Sequence, residues 1–166
     1  MYKIGDNVVY GANGVMTVVD LRDETVGDTV RTYYVLGNLS GHRDSLIFVP
    51  LDNDKLIASM RPLMTREGID ALIKDVVNIP ECDWVPDSRR RADYFKSIID
   101  SADQRAIIGL IKTVYKTGER RIAEGKKNYL ADEGALHKAE HILYSELSVV
   151  LGIDYSAVAE YIKNNM

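Results

Sequence analysis

Val8-Val9-Tyr10-Gly11-Ala12-Asn13-Gly14-Val15-Met16-Thr17-Val18-Val19 sets two β-branched runs on either side of a glycine-bounded turn. Residues of this kind favour a pleated, half-buried surface, and glycine and asparagine supply the turn between them. Two further runs follow, Tyr33-Tyr34-Val35-Leu36 and Leu46-Ile47-Phe48-Val49. Val26-Gly27-Asp28 and the stretch from Gly37-Asn38 to Gly41 separate them with more turn chemistry. Four or five short strands in so small a span predict a small, strongly bent antiparallel barrel. Such a sheet keeps an unpaired edge unless something covers it.

Beyond Pro62 the apolar period changes from strand to helix. Thr65 is placed to cap a helix to about Val77, with Ile69, Leu72, Ile73 and Val76 at helical spacing. Asn78-Ile79-Pro80-Glu81-Cys82-Asp83-Trp84-Val85-Pro86-Asp87 carries two prolines and no clear period, which predicts a joint. Ser88 or Asp87 then caps a helix to about Asp100, and Asp103 opens another to about Ala123. Asp132 opens a fourth to about Leu151, with Gly152 as its C-terminal stop, and Asp154 opens a short last helix. The expected fold class is α+β in two modules, a small antiparallel β-barrel followed by an all-α helical domain. The expected boundaries are 1–60 for the barrel, 61–83 for a connecting helix and joint, and 84–166 for the helical domain.

The chain has 166 residues and a net charge of −4, an acidic balance that argues against non-specific coating of nucleic acid. The charge is unevenly spread. Residues 89–127 hold 11 basic and 5 acidic side chains, a basic island in an otherwise acidic chain. At 100° per residue, Arg105, Lys112, Lys116 and Arg120 form one stripe of the third helix, opposite Ile107, Leu110, Ile111 and Val114. The plain expectation for such a stripe is a solvated face. In the second helix Arg89 and Lys96 share a face with Arg90 on its flank, while Tyr94, Phe95, Ile98 and Ile99 point to the core. Arg91 falls on that apolar side and is expected to be buried and paired.

Catalytic chemistry finds little purchase. His137-Lys138-Ala139-Glu140-His141 matches the H-x-x-E-H pattern of inverted zinc peptidases, which makes a zinc hydrolase a remote alternative. A third metal ligand would have to come from Glu146, Asp154 or Glu160, and the plainer expectation is an amphipathic helix with both histidines near its surface. Cys82, the one cysteine, sits among acids that raise a thiol pKa. No P-loop or G-x-G-x-x-G occurs. Asn38-Leu39-Ser40 is a glycosylation sequon in form only. The expectation is a non-enzymatic protein without cofactors or metal. No membrane segment is expected, and the opening residues lack the apolar core of a secretory signal, so a cytoplasmic setting is expected. Trp84, the only tryptophan, lies in the joint just ahead of the arginines. It either packs the two modules together or is displayed as an apolar wedge beside phosphate-binding arginines.

The opening Tyr2-Lys3-Ile4-Gly5-Asp6-Asn7-Val8-Val9-Tyr10, the Gly14-Val15 turn and the strand exit Phe48-Val49-Pro50-Leu51-Asp52-Asn53 resemble the CarD/CdnL family of bacterial RNA polymerase-binding transcription regulators. Trp84-Val85-Pro86-Asp87-Ser88-Arg89-Arg90-Arg91, Tyr94-Phe95, Ser101-Ala102-Asp103 and Ala139 to Leu147 extend the resemblance in the same order. It implies a Tudor-like, SH3-like barrel that pairs a sheet edge with the RNA polymerase β subunit. That role falls on Leu46, Ile47, Phe48, Val49 and Pro50. It also implies a helical domain whose tryptophan, Trp84, enters the minor groove of promoter DNA at the upstream edge of the melted region. Arg89, Arg90 and Lys96 would hold phosphates there, with Arg89 and Arg90 ahead of Arg91. The contact would carry no base code, and its effect would fall on open-complex stability, with ribosomal RNA promoters among the targets. Gly11 and Asn13 stand where many members have proline and histidine, and Glu24 and Phe48 stand where some have basic residues. The expected polymerase contact is correspondingly more apolar. An adaptor whose helical domain binds protein rather than DNA is the alternative. A monomer is expected, with strand exchange between two copies open to the exposed edge.

Overall fold

The computed structural model describes residues 1–39 and 45–166. Part of the expected Gly37–Gly41 turn, and Ser40 of the sequon, lie outside the described residues. β1 (Asn7–Tyr10), β2 (Val15–Val26), β3 (Thr29–Asn38), β4 (Ile47–Pro50) and β5 (Met60–Pro62) form one antiparallel sheet in the order β4-β3-β2-β1-β5. The sheet bends until Val49 of β4 and Met60 of β5, on opposite edges, share a core with Val8, Met16, Val18, Tyr34 and Leu36. A bulge between Val18 and Asp20 supplies part of that bend. β2 and β3 run well past the apolar runs that mark them in the sequence, as a hairpin through Gly27 at φ 63°. The outer half of this hairpin is polar and exposed, so no hydrophobic alternation signals it. The short helix α1 (Asp54–Ala58), capped by Asn53 on the Leu56 N–H, and the three-residue β5 are too brief to carry a readable period.

The helices follow their caps closely. α2 (Arg66–Asp75) starts at Thr65, whose hydroxyl accepts the Gly68 N–H. α3 (Ser88–Ser101) starts at Asp87 and α4 (Gln104–Ala123) at Asp103, each carboxylate accepting an N–H three residues on. α5 (Leu130–Leu151) ends on Gly152 at φ 67°, and α6 (Val158–Asn165) follows a 3₁₀ turn capped by Asp154. One expected cap is corrected. Asp132 lies inside the first turn of α5 and is buried against Arg91, so it pairs with a guanidinium instead of capping the helix.

Strand alternation joins the two units. Val8 and Met16 face the sheet's own core, while their neighbours Val9 and Val15 enter the helical core with Phe95, Ile99, Ala139 and Ile142. Each of these valines contributes about 1.5–3 kcal/mol of burial. The 3₁₀ turn Gly11–Asn13 sits against α3 and α5. Gly14, at φ 70°, sits so close to α5 that a Cβ there would lie 2.7 Å from Ser145 Oγ. The Val15 N–H donates to the same hydroxyl at 3.3 Å.

A buried ion pair closes the joint between the units. Arg61 of β5 donates through Nη1 and Nη2 to the two carboxylate oxygens of the fully buried Glu146, each at 2.8 Å. The same guanidinium donates to the Ala102 carbonyl at 3.0 and 3.1 Å. Glu146 also accepts the Met64 N–H at 2.7 Å and the Gln104 side-chain amide. Neither Arg61 nor Glu146 stands out by pattern. Glu146 falls on the apolar stripe of α5, and only its pairing explains it.

Candidate interfaces for nucleic acid and protein

The segment from Asp75 to Cys82 is laid along α4 by the basic stripe itself. Lys112 Nζ donates to the Val76 carbonyl, to Ile79 at 2.7 Å and more weakly to Val77 at 3.5 Å. Arg105 pairs with Asp75 at 2.6 Å and Lys116 with Glu81 at 2.8 Å. Gly109 admits the chain: a Cβ there would lie 2.8 Å from the Pro80 carbonyl, and the Cys82 N–H reaches the Gly109 carbonyl. The solvated-face expectation holds for Arg105, Lys116 and Arg120, which stay exposed, and is corrected for Lys112, whose ammonium turns in to strap the joint to the helix. A hydrogen bond from Asn78, followed by that from Arg105, holds the Asp75 carboxyl below its ordinary range.

These straps deliver Trp84 to the start of α3. Its residue is half-buried against the shared helical core, with Arg91 and Tyr129 as its ring partners. The Arg91 guanidinium lies over the indole at 4.3 Å, and the Tyr129 ring stands 6.4 Å away. Arg91 also lies over Tyr129 at 4.9 Å, and Arg121 covers Tyr129 at 3.8 Å. Arg91 is 2% exposed, as its place on the apolar side of α3 requires. Its Nε donates to both Asp132 oxygens, at 3.0 and 3.2 Å, and its Nη1 to the carbonyls of Val85 and Pro86. The sequence requires a partner for Arg91 without saying which acid, because Asp132 is 41 residues away. Tyr129 and Arg121 give no signal of their own beyond residue type.

Arg89 and Arg90 stand exposed in the first turn of α3, and no acceptor among the described residues engages either side chain. Positive charge at a helix N-terminus opposes the macrodipole, and the acid that offsets it here is the cap carboxylate of Asp87, which accepts the Arg90 N–H at 2.8 Å. Lys96, also exposed, is engaged by Asp100 one turn on. Of the three basic residues expected to face phosphate, Arg89 and Arg90 are thus the two left free among the described residues.

At the other end, β4 is an edge of the sheet, hydrogen-bonded among the described strands only to β3. Leu46 precedes the strand and is partly exposed. Phe48 is 42% exposed on the outer face, where the Tyr33 ring meets it edge-on and the Arg22 guanidinium lies 5.7 Å away. Val49 is fully buried in the sheet core, so only its main chain can meet a partner. Ile47 and Pro50 are half-buried, and Pro50 has no N–H to offer.

The H-x-x-E-H segment does not converge. His137 is exposed, Glu140 accepts the Tyr115 hydroxyl at 2.7 Å, and His141 packs beside Tyr155. That hydrogen bond is the main cause that pushes the Tyr115 phenol up to about 12. Among the described residues no three His, Cys, Asp or Glu side chains are grouped to hold a metal ion. Burial pushes the Cys82 thiol up, away from reactivity. No single helix among the described residues is long and apolar enough to cross a membrane.

A comparison with protein families matches residues 2–64 to the CarD-like/TRCF RID domain. The match spans the whole sheet and the chain up to Met64, whose N–H meets Glu146, and leaves Trp84 and α3–α6 beyond it. The exposed strand edge of the first unit is thus the edge of a CarD-like RNA polymerase-interacting domain, and the chain that carries it is a transcription-related protein that interacts with RNA polymerase.

Proposed function

We propose that this protein is a non-catalytic transcription regulator that docks on the polymerase β subunit through β4 while its helical unit contacts promoter DNA at the upstream edge of the melted region. Trp84 enters the minor groove there, and Arg89 and Arg90 neutralise phosphates. The observation that carries this reading is a half-buried indole followed, in the first turn of α3, by two exposed arginines that no described acceptor engages. Both guanidinium groups are exposed and unengaged, which leaves them available to an external anion. The resemblance of Trp84 to Arg91 to the CarD/CdnL family points the same way and adds ribosomal RNA promoters as targets.

Unstacking a base step costs a few kcal/mol, and an apolar wedge that fits only the distorted junction recovers part of it selectively. A preference of ~1.4 kcal/mol for the open state shifts its population ratio tenfold. The acidic chain tolerates a weak DNA contact because docking on polymerase raises the local concentration. Such a protein works in the cytoplasm, with the polymerase.

Trp84→Ala tests the proposal. The variant is expected to bind polymerase as the parent does and to shorten open-complex lifetime on a weak promoter, measured by competitor challenge. An unchanged lifetime leaves the adaptor reading, in which the helical unit binds protein.

A further inference from the structure

We infer that Arg91 is the positioning residue of Trp84: its guanidinium, anchored by Asp132 and by the carbonyls of Val85 and Pro86, fixes the plane of the indole that meets nucleic acid. The inference rests on the reading of Trp84 as a DNA contact and assigns how that contact is oriented.

The straps on α4 hold the joint's backbone as far as Cys82 and the core packs one side of the ring, but neither sets the plane of the indole. Residues 79–87 form neither helix nor strand, so no ladder or helical turn fixes the tryptophan from its own backbone. The guanidinium can set that plane. It engages Asp132 with Nε and two carbonyls with Nη1, all within 3.2 Å, so its plane is set before the ring is laid on it. A planar, delocalised cation then attracts the ring face at 4.3 Å. Two of the acceptors, Val85 and Pro86, are the residues that follow Trp84, so one side chain grips both the ring and the backbone that carries it. Stability alone does not explain the choice. An ion pair this deeply buried adds little over well-packed apolar side chains, and α3 needs only an apolar residue at this core-facing position. Orientation is what the arrangement adds. With one indole face covered, the exposed remainder of the ring is what a base step would meet.

The single tryptophan makes the test direct, since all indole emission comes from Trp84. Arg91→Lys keeps the charge near Asp132 but loses the plane and the fork. In the free protein, with circular dichroism to verify folding, it is expected to lower Trp84 anisotropy and raise quenching by acrylamide. Tyr129→Ala, at an exposed ring that leaves the Arg91 anchors intact, is expected to keep anisotropy near the parent value. On polymerase, Arg91→Lys is expected to lose the open-complex stabilisation that Trp84→Ala loses, while retaining polymerase binding. If Arg91→Lys does not fold, time-resolved anisotropy of the parent decides: a single slow decay supports a fixed ring, and a fast local component overturns it. Unchanged anisotropy in folded Arg91→Lys, or ring release by Tyr129→Ala alone, overturns the inference whatever DNA does. So does a mobile ring with full open-complex lifetime, provided Trp84→Ala shortens it. If Arg91→Lys frees the ring and Trp84→Ala changes no lifetime, positioning stands and the DNA reading falls.

Discussion

Arg89, Arg90 and Arg91 are consecutive and chemically identical, yet geometry gives them opposite fates. Arg91 is turned inward to Asp132, while its two predecessors stay in water, engaged by no described acceptor. Pattern alone separates the three because helical phase decides which side chain faces the core, and phase is set by the apolar residues around them. What pattern cannot supply is the identity of long-range partners: Asp132 is remote in sequence, and its position there looks like that of a helix cap. A double Arg89→Ala, Arg90→Ala variant is expected to keep its melting temperature, because both side chains are exposed and engage no described acceptor. The same variant is expected to flatten the salt dependence of DNA binding, by a log–log slope of about 0.9 for each phosphate no longer neutralised. Lys96→Ala should change that slope less, its charge being shared with Asp100.

At the scale of elements, caps and periods make α2 through α6 legible, whereas β5 and α1 are hidden by brevity and the outer β2–β3 hairpin by its polarity. The basic stripe of α4 is legible as a wet face in Arg105, Lys116 and Arg120, while the carbonyl partners of Lys112 are remote in sequence and no pattern names them. Lys112 is the main fastening of the joint. Replacing it with methionine leaves the Ile79 carbonyl without its donor, while Val76 keeps the Ile79 N–H at 3.2 Å, with an expected cost of about 1–3 kcal/mol in urea unfolding. Acid should loosen the neighbouring Asp75–Arg105 strap late. Because the folded Asp75 pKa is depressed, the strap's contribution is present above the ordinary carboxylate pKa and disappears only as pH falls through the lowered value. At β4 the ring of Phe48 is exposed and backed by Tyr33 and Arg22, and under the proposed docking it would be the apolar anchor of the edge. Phe48→Ala is expected to weaken polymerase binding by about 1–2 kcal/mol, roughly 5- to 30-fold by titration, while Val49, already buried, offers a partner only its backbone.

Across the whole molecule, the edge of β4 and the ring of Trp84 belong to units that share a core through Val9 and Val15 and an ion pair through Arg61 and Glu146. Removing one member of that pair strands a buried charge. Arg61→Met is expected to lose on the order of 3–5 kcal/mol of stability by denaturant titration, with no change to either exposed surface. The seat of Gly14 against Ser145 offers a subtler probe. A methyl placed there meets both Ser145 Oγ and a backbone at φ 70° that a side chain rarely adopts. It therefore disturbs the β1–β2 turn and its seat on α5 together, while leaving the exposed side chains of β4 and α3 chemically unchanged. In a variant that still folds, transcriptional output would read how the two units are held together, as a sight knocked off its barrel spoils the aim of a sound rifle.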